Sequence, residues 1–138
     1  MWWLIAPFAL WIVPVLAYRY ARRNNPSHAY VLTGIALGAV VSMASMGTYA
    51  LYFLAGIVCL IALPLAAVGI VGLVLTLFHS APGYYLAITL GLVQPSEGVH
   101  GIGHVYIESL NSVIWVIVYG AIGYARDSAI RRRRRIST

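Results

Sequence analysis

The residues with the most chemistry in this sequence lie in one short segment, GVHGIGHVYIE at 98–108. On a helix, His100, His104 and Glu108 share one face, because four residues turn an α-helix by about 400°. Two imidazoles one turn apart can share a metal ion, and a carboxylate one turn further on can complete a site of the zinc or non-haem iron type. His79 adds a fourth candidate ligand. A bis-histidine haem site is a weaker alternative for the same residues.

The immediate surroundings of the histidines favour a simpler interpretation. Gly101 and Gly103 flank them, and each glycine costs about 1 kcal/mol in a helix interior. No HExxH or CxxC pattern supports metal binding. Histidine, tyrosine and glutamate are also ordinary residues where polar side-chain tips meet water at a membrane surface. We therefore favour a polar membrane-surface segment and expect no cofactor, with metal binding, haem binding and proton handling as alternatives.

The composition is that of a protein dissolved in lipid. Of 138 residues, 62% are hydrophobic and 9% are charged, whereas soluble domains carry about a quarter charged residues. No Asp, Glu, Lys or Arg lies between Arg23 and Glu97, and one helical crossing needs about 20 apolar residues. The short alternating segments of a β-barrel are not found. We predict one integral membrane domain over 1–138, an all-α polytopic helical bundle with about four transmembrane helices and a short interfacial segment.

The apolar stretches predict helices at about 2–18, 30–49, 54–78 and 109–125. We expect the first to be a retained helix, because it lacks the positive n-region of a signal peptide. The polar stretch 79–107 contains the turn signals HSAPG and QPSEG. Its apolar part, 84–93, is too short to span and is expected to rest in the interface. A basic tail, 126–138, follows the last helix.

Arginines follow both the first and the last predicted helix, and the positive-inside rule assigns both groups to the cytoplasm. This requires an even number of crossings between the groups, yet three predicted helices lie there. A broken crossing over 84–107 would give five crossings in all. We favour four helices with a cytoplasmic C-terminus, because the six arginines from Arg126 onward less Asp127 give +5, against +3 for the first loop. This leaves the three arginines of that loop, Arg19, Arg22 and Arg23, on the opposite face.

Small residues predict where helices approach closely. Gly34, Gly38 and Ser42 form a small-xxx-small stripe, and Gly120 with Gly123 offers a matching shallow surface. We favour packing within the chain, although the same stripe also builds homo-oligomers and larger complexes.

Polar residues at the start of the last predicted helix are Glu108, Asn111 and Ser112. Polar groups at bilayer depth usually face the bundle interior. A carboxylate near a helix N-terminus is also favoured by the helix dipole. We therefore expect interhelical or capping roles, with a substrate or ion role as the alternative.

A run of five arginines near the end of the chain is expected to bind anionic lipids. We expect no nucleic-acid binding, since no aromatic residues are interleaved with this run. The predicted lipid-binding residues are Arg131, Arg132, Arg133, Arg134 and Arg135.

The segments FHSAPGYYLAITLGLV and GIGHVYIESLNSVIW resemble those of small, uncharacterised multi-spanning proteins predicted in bacterial genomes. This resemblance covers roughly the C-terminal half of the chain, including His79, Pro82, Gly83, His104 and Glu108. It implies a multi-pass protein of the bacterial inner membrane and brings no assigned activity.

Packing residues and aromatic anchors outnumber chemical groups in this chain, so we expect a non-enzymatic membrane protein. The favoured function is an accessory or assembly subunit, a helix-packing partner within a larger membrane complex. The alternatives are a metal- or haem-binding membrane protein that uses His79, His100, His104 and Glu108, a small channel or transporter, and a toxin-immunity protein.

Overall fold

The computed structural model describes residues 6–57, 62–95 and 102–136. These residues form four α-helices, α1 Ile12–Asn24, α2 Ala29–Ile57, α3 Ala62–Thr89 and α4 Ile102–Ile136. Short 3-10 segments, Ala6–Trp11 and Pro26–His28, precede α1 and α2. The described ranges contain no strand, so the predicted all-α bundle is confirmed. Three helical stretches are long and apolar enough to cross a membrane, Pro26–Ala50, Ala66–Thr89 and Gly103–Ile136.

Helices α2, α3 and α4 are longer than the sequence predicts. The first predicted helix, 2–18, corresponds to the 3-10 segment Ala6–Trp11 and the start of α1, and its residues 2–5 lie outside the described residues. Helix α3 does not end at the HSAPG segment. It continues to Thr89 and closes with a Schellman motif, in which Leu92 N–H donates to Ala87 O and Gly91 N–H to Ile88 O, both at 2.9 Å. Gly91 adopts φ = 69°, a left-handed conformation that favours glycine. Much of the predicted interfacial stretch 79–107 is therefore helical, at its start in α3 and at its end in α4.

Helix α4 also exceeds its predicted range of 109–125 at both ends. It begins at Ile102, so His104 and Glu108 lie one turn apart on a helix, and it continues through the arginine run to Ile136. The basic tail is therefore helical as far as the structure describes it. Arginine is a good helix former, and cations in the last turn interact favourably with the helix dipole. The arginines that extend the helix are Arg131, Arg132, Arg133, Arg134 and Arg135.

Helices α2 and α4 form an antiparallel pair in close contact through glycines. A Cβ atom on Gly34 would overlap the backbone of Tyr119, and one on Gly38 would overlap the backbone of Trp115. On α4, Gly123 packs in the same way against the backbone of the first turn of α2. As the residue number along α2 rises, the number of its partner on α4 falls, as expected for antiparallel helices. The stripe of small residues therefore lies within the bundle.

The end of α4 contacts the start of α2. The Arg131 guanidinium donates a 2.6 Å hydrogen bond to the carbonyl of Ser27, and the guanidinium of Arg126 lies 4.3 Å from the ring centroid of Tyr30. The ring of Tyr18 in α1 lies 5.8 Å from the same Tyr30 ring. The end of α1, the start of α2 and the end of α4 therefore lie together, and we call this end of the bundle the arginine end.

The nine arginines of the chain all lie in two of these segments, the end of α1 and the end of α4. The expectation that the first three lie on the opposite face from the others is wrong. The expectation counted every long apolar stretch as a crossing. The contacts of α3 with α2 and α4, described next, do not run from one end of the bundle to the other. The nine residues are Arg19, Arg22, Arg23, Arg126, Arg131, Arg132, Arg133, Arg134 and Arg135.

Helix α3 first follows α2 toward the arginine end. Gly72 packs against the backbone of Thr48, and eight positions later Ser80 Oγ lies 3.2 Å from Ser42 Oγ. Between these two points the partner residue on α2 moves about a turn and a half closer to the arginine end.

On α4, the contacts of α3 move in the other direction. Gly83 N–H bonds Asn111, and Ala87 packs in an apolar cluster with Ile107, which lies one turn farther from the arginine end. The contacts of Gly72, before Pro82, and of Ala87, after it, therefore lie farther from the arginine end than the contacts of the Pro82 turn. Helix α3 crosses the pair obliquely rather than running beside it from end to end.

Candidate functional site

The backbone of α3 around Pro82 is held by two side chains from α4. Proline has no N–H, so the carbonyl one turn before Pro82 lacks its usual donor. Asn111 Oδ1 accepts a 2.7 Å hydrogen bond from Gly83 N–H, while Asn111 Nδ2 donates to Ser80 O at 3.2 Å. Trp115 Nε1 donates to His79 O at 2.7 Å. These bonds satisfy Gly83 N–H and the carbonyls of His79 and Ser80, the backbone groups that flank Pro82. In lipid, where water cannot satisfy such groups, side-chain bonds of this kind allow a helix to continue through proline.

His79 lies next to this turn, 3% exposed, with both ring nitrogens engaged. Nδ1 lies 2.8 Å from the carbonyl of Leu75, which can only accept, so this nitrogen carries the proton. In the neutral ring Nε2 then accepts from the Tyr119 hydroxyl, also at 2.8 Å. The rings of Trp115 and Phe78 lie 4.7 Å and 5.2 Å from the imidazole. His79 thus joins α3 to α4.

A cavity of about 420 Å³, open on one side, lies between α2, α3 and α4. Helix α3 lines it with residues between Thr76 and Tyr85, α2 with Met46, and α4 with His104, Ile107 and Glu108. We call this space the Glu108 cavity. It lies toward the far end of the bundle from the arginines, because these α4 residues precede Asn111.

Two polar atoms beside the cavity lack hydrogen-bond partners. They are His104 Nδ1 and Glu108 Oε2, both shielded by the surrounding protein. Glu108 is 5% exposed. Leaving a buried polar atom unsatisfied costs about 1–3 kcal/mol, and more for a charged group. The outer torsions of these two side chains have broad, roughly two-fold preferences, so rotation can turn either atom toward the cavity.

The predicted metal ligands are only partly brought together. His104 and Glu108 line the same cavity, His79 is not among its lining residues, and His100 lies outside the described residues. Within the described ranges, no group of three or more His, Cys, Asp or Glu side chains can hold a metal ion. The metal and haem alternatives therefore stay predictions.

The predicted lipid-binding run lies apart from the cavity, in the last turns of α4. Arg131 is half-buried and bonds Ser27 O and Ser128 Oγ, so its guanidinium joins α4 to the start of α2. The four arginines after it are exposed, as a contact with lipid head groups requires. Lipid binding by the run stays a prediction. The exposed members are Arg132, Arg133, Arg134 and Arg135.

Sequence reasoning missed the roles of Trp115, Tyr119 and Asp127. Trp115 and Tyr119 lie within the predicted apolar helix 109–125, although a buried Trp or Tyr usually needs a hydrogen-bond partner. Asp127 is the only aspartate and stands beside an arginine. Its carboxylate is 3% exposed and accepts hydrogen bonds from the backbone of Tyr30 and Val31. A lone carboxylate at a membrane helix end was the available signal for this contact.

No protein-family model, curated protein or solved structure matches this chain.

Proposed function

We propose that the protein is a non-enzymatic integral membrane protein that acts as an accessory or assembly subunit of a larger membrane complex. The observation that carries this proposal is the use made of its buried polar groups. In the described ranges the buried polar or charged side chains are Ser42, Ser45, Thr48, His79, Glu108, Asn111 and Asp127.

Five of these side chains hold one segment of the bundle to another. Four of the five have partners described above: Ser42, His79, Asn111 and Asp127. The fifth is Thr48, whose Oγ1 accepts a 2.8 Å hydrogen bond from Trp11 Nε1. This bond holds the 3-10 segment before α1 against α2. Ser45 bonds its own helix, and Glu108 keeps an unpartnered oxygen. Polar groups committed to packing are not free for acid–base or nucleophilic work, which supports a packing role over catalysis.

The outward faces of α3 and α4 supply the surface for partner helices. Val74 and Phe78 on α3 are 60% and 62% exposed, and Ile117 on α4 is 65% exposed. Only 22% of the residues in the most apolar window of each helix are buried inside the bundle. In a membrane, such apolar faces contact lipid tails or other transmembrane helices.

We further propose that the protein lies in a bacterial inner membrane with the arginine end in the cytoplasm. The clustering of all nine arginines at one end supports this orientation, because positive residues collect on the cytoplasmic side. The C-terminus is cytoplasmic in this arrangement. Anionic lipid there attracts each nearby arginine by about 1 kcal/mol. The residues positioned for this contact are the exposed Arg132, Arg133, Arg134 and Arg135.

The subunit proposal is tested by the mass of the protein in mild detergent. We expect a homo-oligomer or a stoichiometric complex. Single cysteines at Val74 or Ile117, in a chain whose only cysteine, Cys59, is replaced by serine, should crosslink to a neighbouring chain on at least one face. Ala44→Cys is the matched control, because Ala44 is 0% exposed and should not react. A monomer that crosslinks from neither face would overturn the proposal.

A further inference from the structure

We propose that the Glu108 cavity binds the primary ammonium head of an amphiphile, whose alkyl chain extends along the apolar lining. This ligand site goes beyond the subunit function. It rests on the two unpartnered atoms, on the side chains around them, and on the position of the cavity along α4.

The two unpartnered atoms suit a ligand that donates more than one hydrogen bond. An ionised carboxylate only accepts, and in a neutral imidazole the nitrogen without a proton only accepts. With Glu108 ionised and the proton of neutral His104 on Nε2, which is the state this proposal takes, both unpartnered atoms accept hydrogen bonds. A group with at least two N–H hydrogens and one positive charge then satisfies them together. A primary ammonium has three N–H donors and that charge. An alcohol offers one donor, and a quaternary ammonium offers none.

The other lining side chains suit the same ligand. The two aliphatic hydroxyls of the lining are already bonded, since Thr76 Oγ1 donates to the carbonyl of Gly72 at 2.7 Å and Ser80 pairs with Ser42. The rings of Tyr84 and Tyr85 line the cavity, and aromatic faces attract ammonium groups. The remaining lining, which includes Met46 and Ile107, is apolar and suits an alkyl chain.

The depth of the cavity suits an amphiphile rather than a wholly apolar or a water-soluble molecule. Glu108 precedes Arg126 by about five turns, or about 27 Å along α4. The hydrocarbon core of a bilayer is about 30 Å thick. With Arg126 at one boundary of the core, Glu108 lies near the other boundary, where lipid head groups begin.

A divalent metal ion is the main competing occupant, because both atoms are also metal ligands. Zinc sites use at least three protein ligands, and within the described ranges no group of three forms. The ammonium proposal needs only these two atoms, turned toward the cavity by side-chain rotation. Metal binding is therefore an outcome of the test.

The first experiment compares three ligands with the same alkyl chain, using the full chain in phosphatidylcholine nanodiscs. Dodecylamine, dodecyltrimethylammonium and dodecanol are titrated, and occupancy is read by native mass spectrometry and by the midpoint of thermal unfolding. We expect dodecylamine to bind at least about tenfold more tightly than the other two, because only its head donates several charge-assisted hydrogen bonds. Equal affinity of dodecylamine and dodecyltrimethylammonium would overturn the proposal.

The second experiment assigns the site to the two α4 side chains. Glu108→Gln keeps the shape of the side chain and removes its charge, and should weaken dodecylamine binding at least about tenfold. His104→Leu is an independent variant, should Glu108→Gln fail to fold. Tyr106→Phe, on the same turn but 43% exposed and outside the cavity lining, should bind as the unmodified chain does. Unchanged binding in folded Glu108→Gln or His104→Leu protein contradicts the assignment.

The source of the ammonium head is tested by changing the lipid. Phosphatidylethanolamine carries a primary ammonium, so as the ligand it should compete with dodecylamine when it replaces phosphatidylcholine. Undiminished dodecylamine binding in phosphatidylethanolamine would instead identify a free amine-bearing amphiphile, and either result supports the site. If Zn²⁺ raises the unfolding midpoint and dodecylamine does not, the cavity is a metal site and the proposal is wrong.

Discussion

The carboxylate of Asp127 in α4 accepts a 2.9 Å hydrogen bond from the backbone N–H of Val31, in the first turn of α2. The N–H of Tyr30 donates to the same oxygen at 3.1 Å. First-turn N–H groups have no partner within their own helix and carry partial positive charge. Asp127 therefore caps the start of α2, where its partner Val31 lies 96 positions earlier in the chain, and it fixes the contact between α2 and α4 at the arginine end.

Replacing Asp127 should destabilise the bundle. We expect Asp127→Ala to lower the free energy of unfolding by about 2 kcal/mol, since it removes a charged cap and exposes two N–H groups. Asp127→Asn keeps an acceptor oxygen and should cost less. Ser128→Ala is the neighbouring control, because its hydroxyl only accepts a bond from Arg131. Denaturant titration in detergent measures all three, and equal stabilities would contradict the capping role.

Gly38 should not tolerate a methyl group. A Cβ there would overlap the backbone of Trp115, which cannot move without separating α2 from α4. Gly38→Ala gains about 1 kcal/mol of helix propensity, and overpacking typically costs about 1–3 kcal/mol. Because the overlap is with backbone, we expect net destabilisation.

Gly120→Ala provides the matched comparison for Gly38→Ala. Its added Cβ would lie 3.4 Å from the side-chain Cγ1 of Ile35, an ordinary contact. We expect this variant to be as stable as the parent or more stable. Thermal unfolding of the two variants side by side tests the packing of the pair, and Gly38→Ala as stable as Gly120→Ala would refute it.

The contribution of Asn111 to stability should depend on Pro82. Asn111→Leu removes both hydrogen bonds to the backbone around this proline, and we expect a loss of about 1–3 kcal/mol. Pro82→Ala restores an N–H to α3 and lets the helix satisfy more of its own backbone. In a double-mutant cycle, Asn111→Leu should therefore cost less in the Pro82→Ala background. Additive effects would show that Asn111 acts independently of the proline.

The sequence predicted the helical membrane class because hydrophobicity and the absence of charge between Arg23 and Glu97 are local properties of the chain. It ended α3 too early because Pro82 and Gly83 resemble a helix stop. The partners that carry the helix through this point, Asn111 and Trp115, lie about 30 positions later. No local pattern reveals such bonds.

Only part of the candidate site could be predicted, again because local spacing is visible in the sequence and distant contacts are not. The spacing of His104 and Glu108 along one helix is local, and the two residues do line one cavity. The sequence also offered His79 as a fourth candidate ligand beside them. His79 instead bonds Tyr119, forty positions away, which depends on how α3 crosses α4.

The oblique course of α3 predicts an unusual topology. We expect α2 and α4 each to cross the membrane between the two arginine groups, and α3 to begin and end at the far side. A single cysteine at Gln94, with Cys59 replaced by serine, should then react with a membrane-impermeant maleimide in intact cells. Cysteines at Asn25 and Arg135 should react only after permeabilisation, because both lie at the arginine end. If α3 instead crossed from side to side, Gln94→Cys would be protected together with Asn25→Cys. That result would place Gln94 on the same side of the membrane as the arginines. It would contradict the topology in which only α2 and α4 cross the membrane between the two arginine groups.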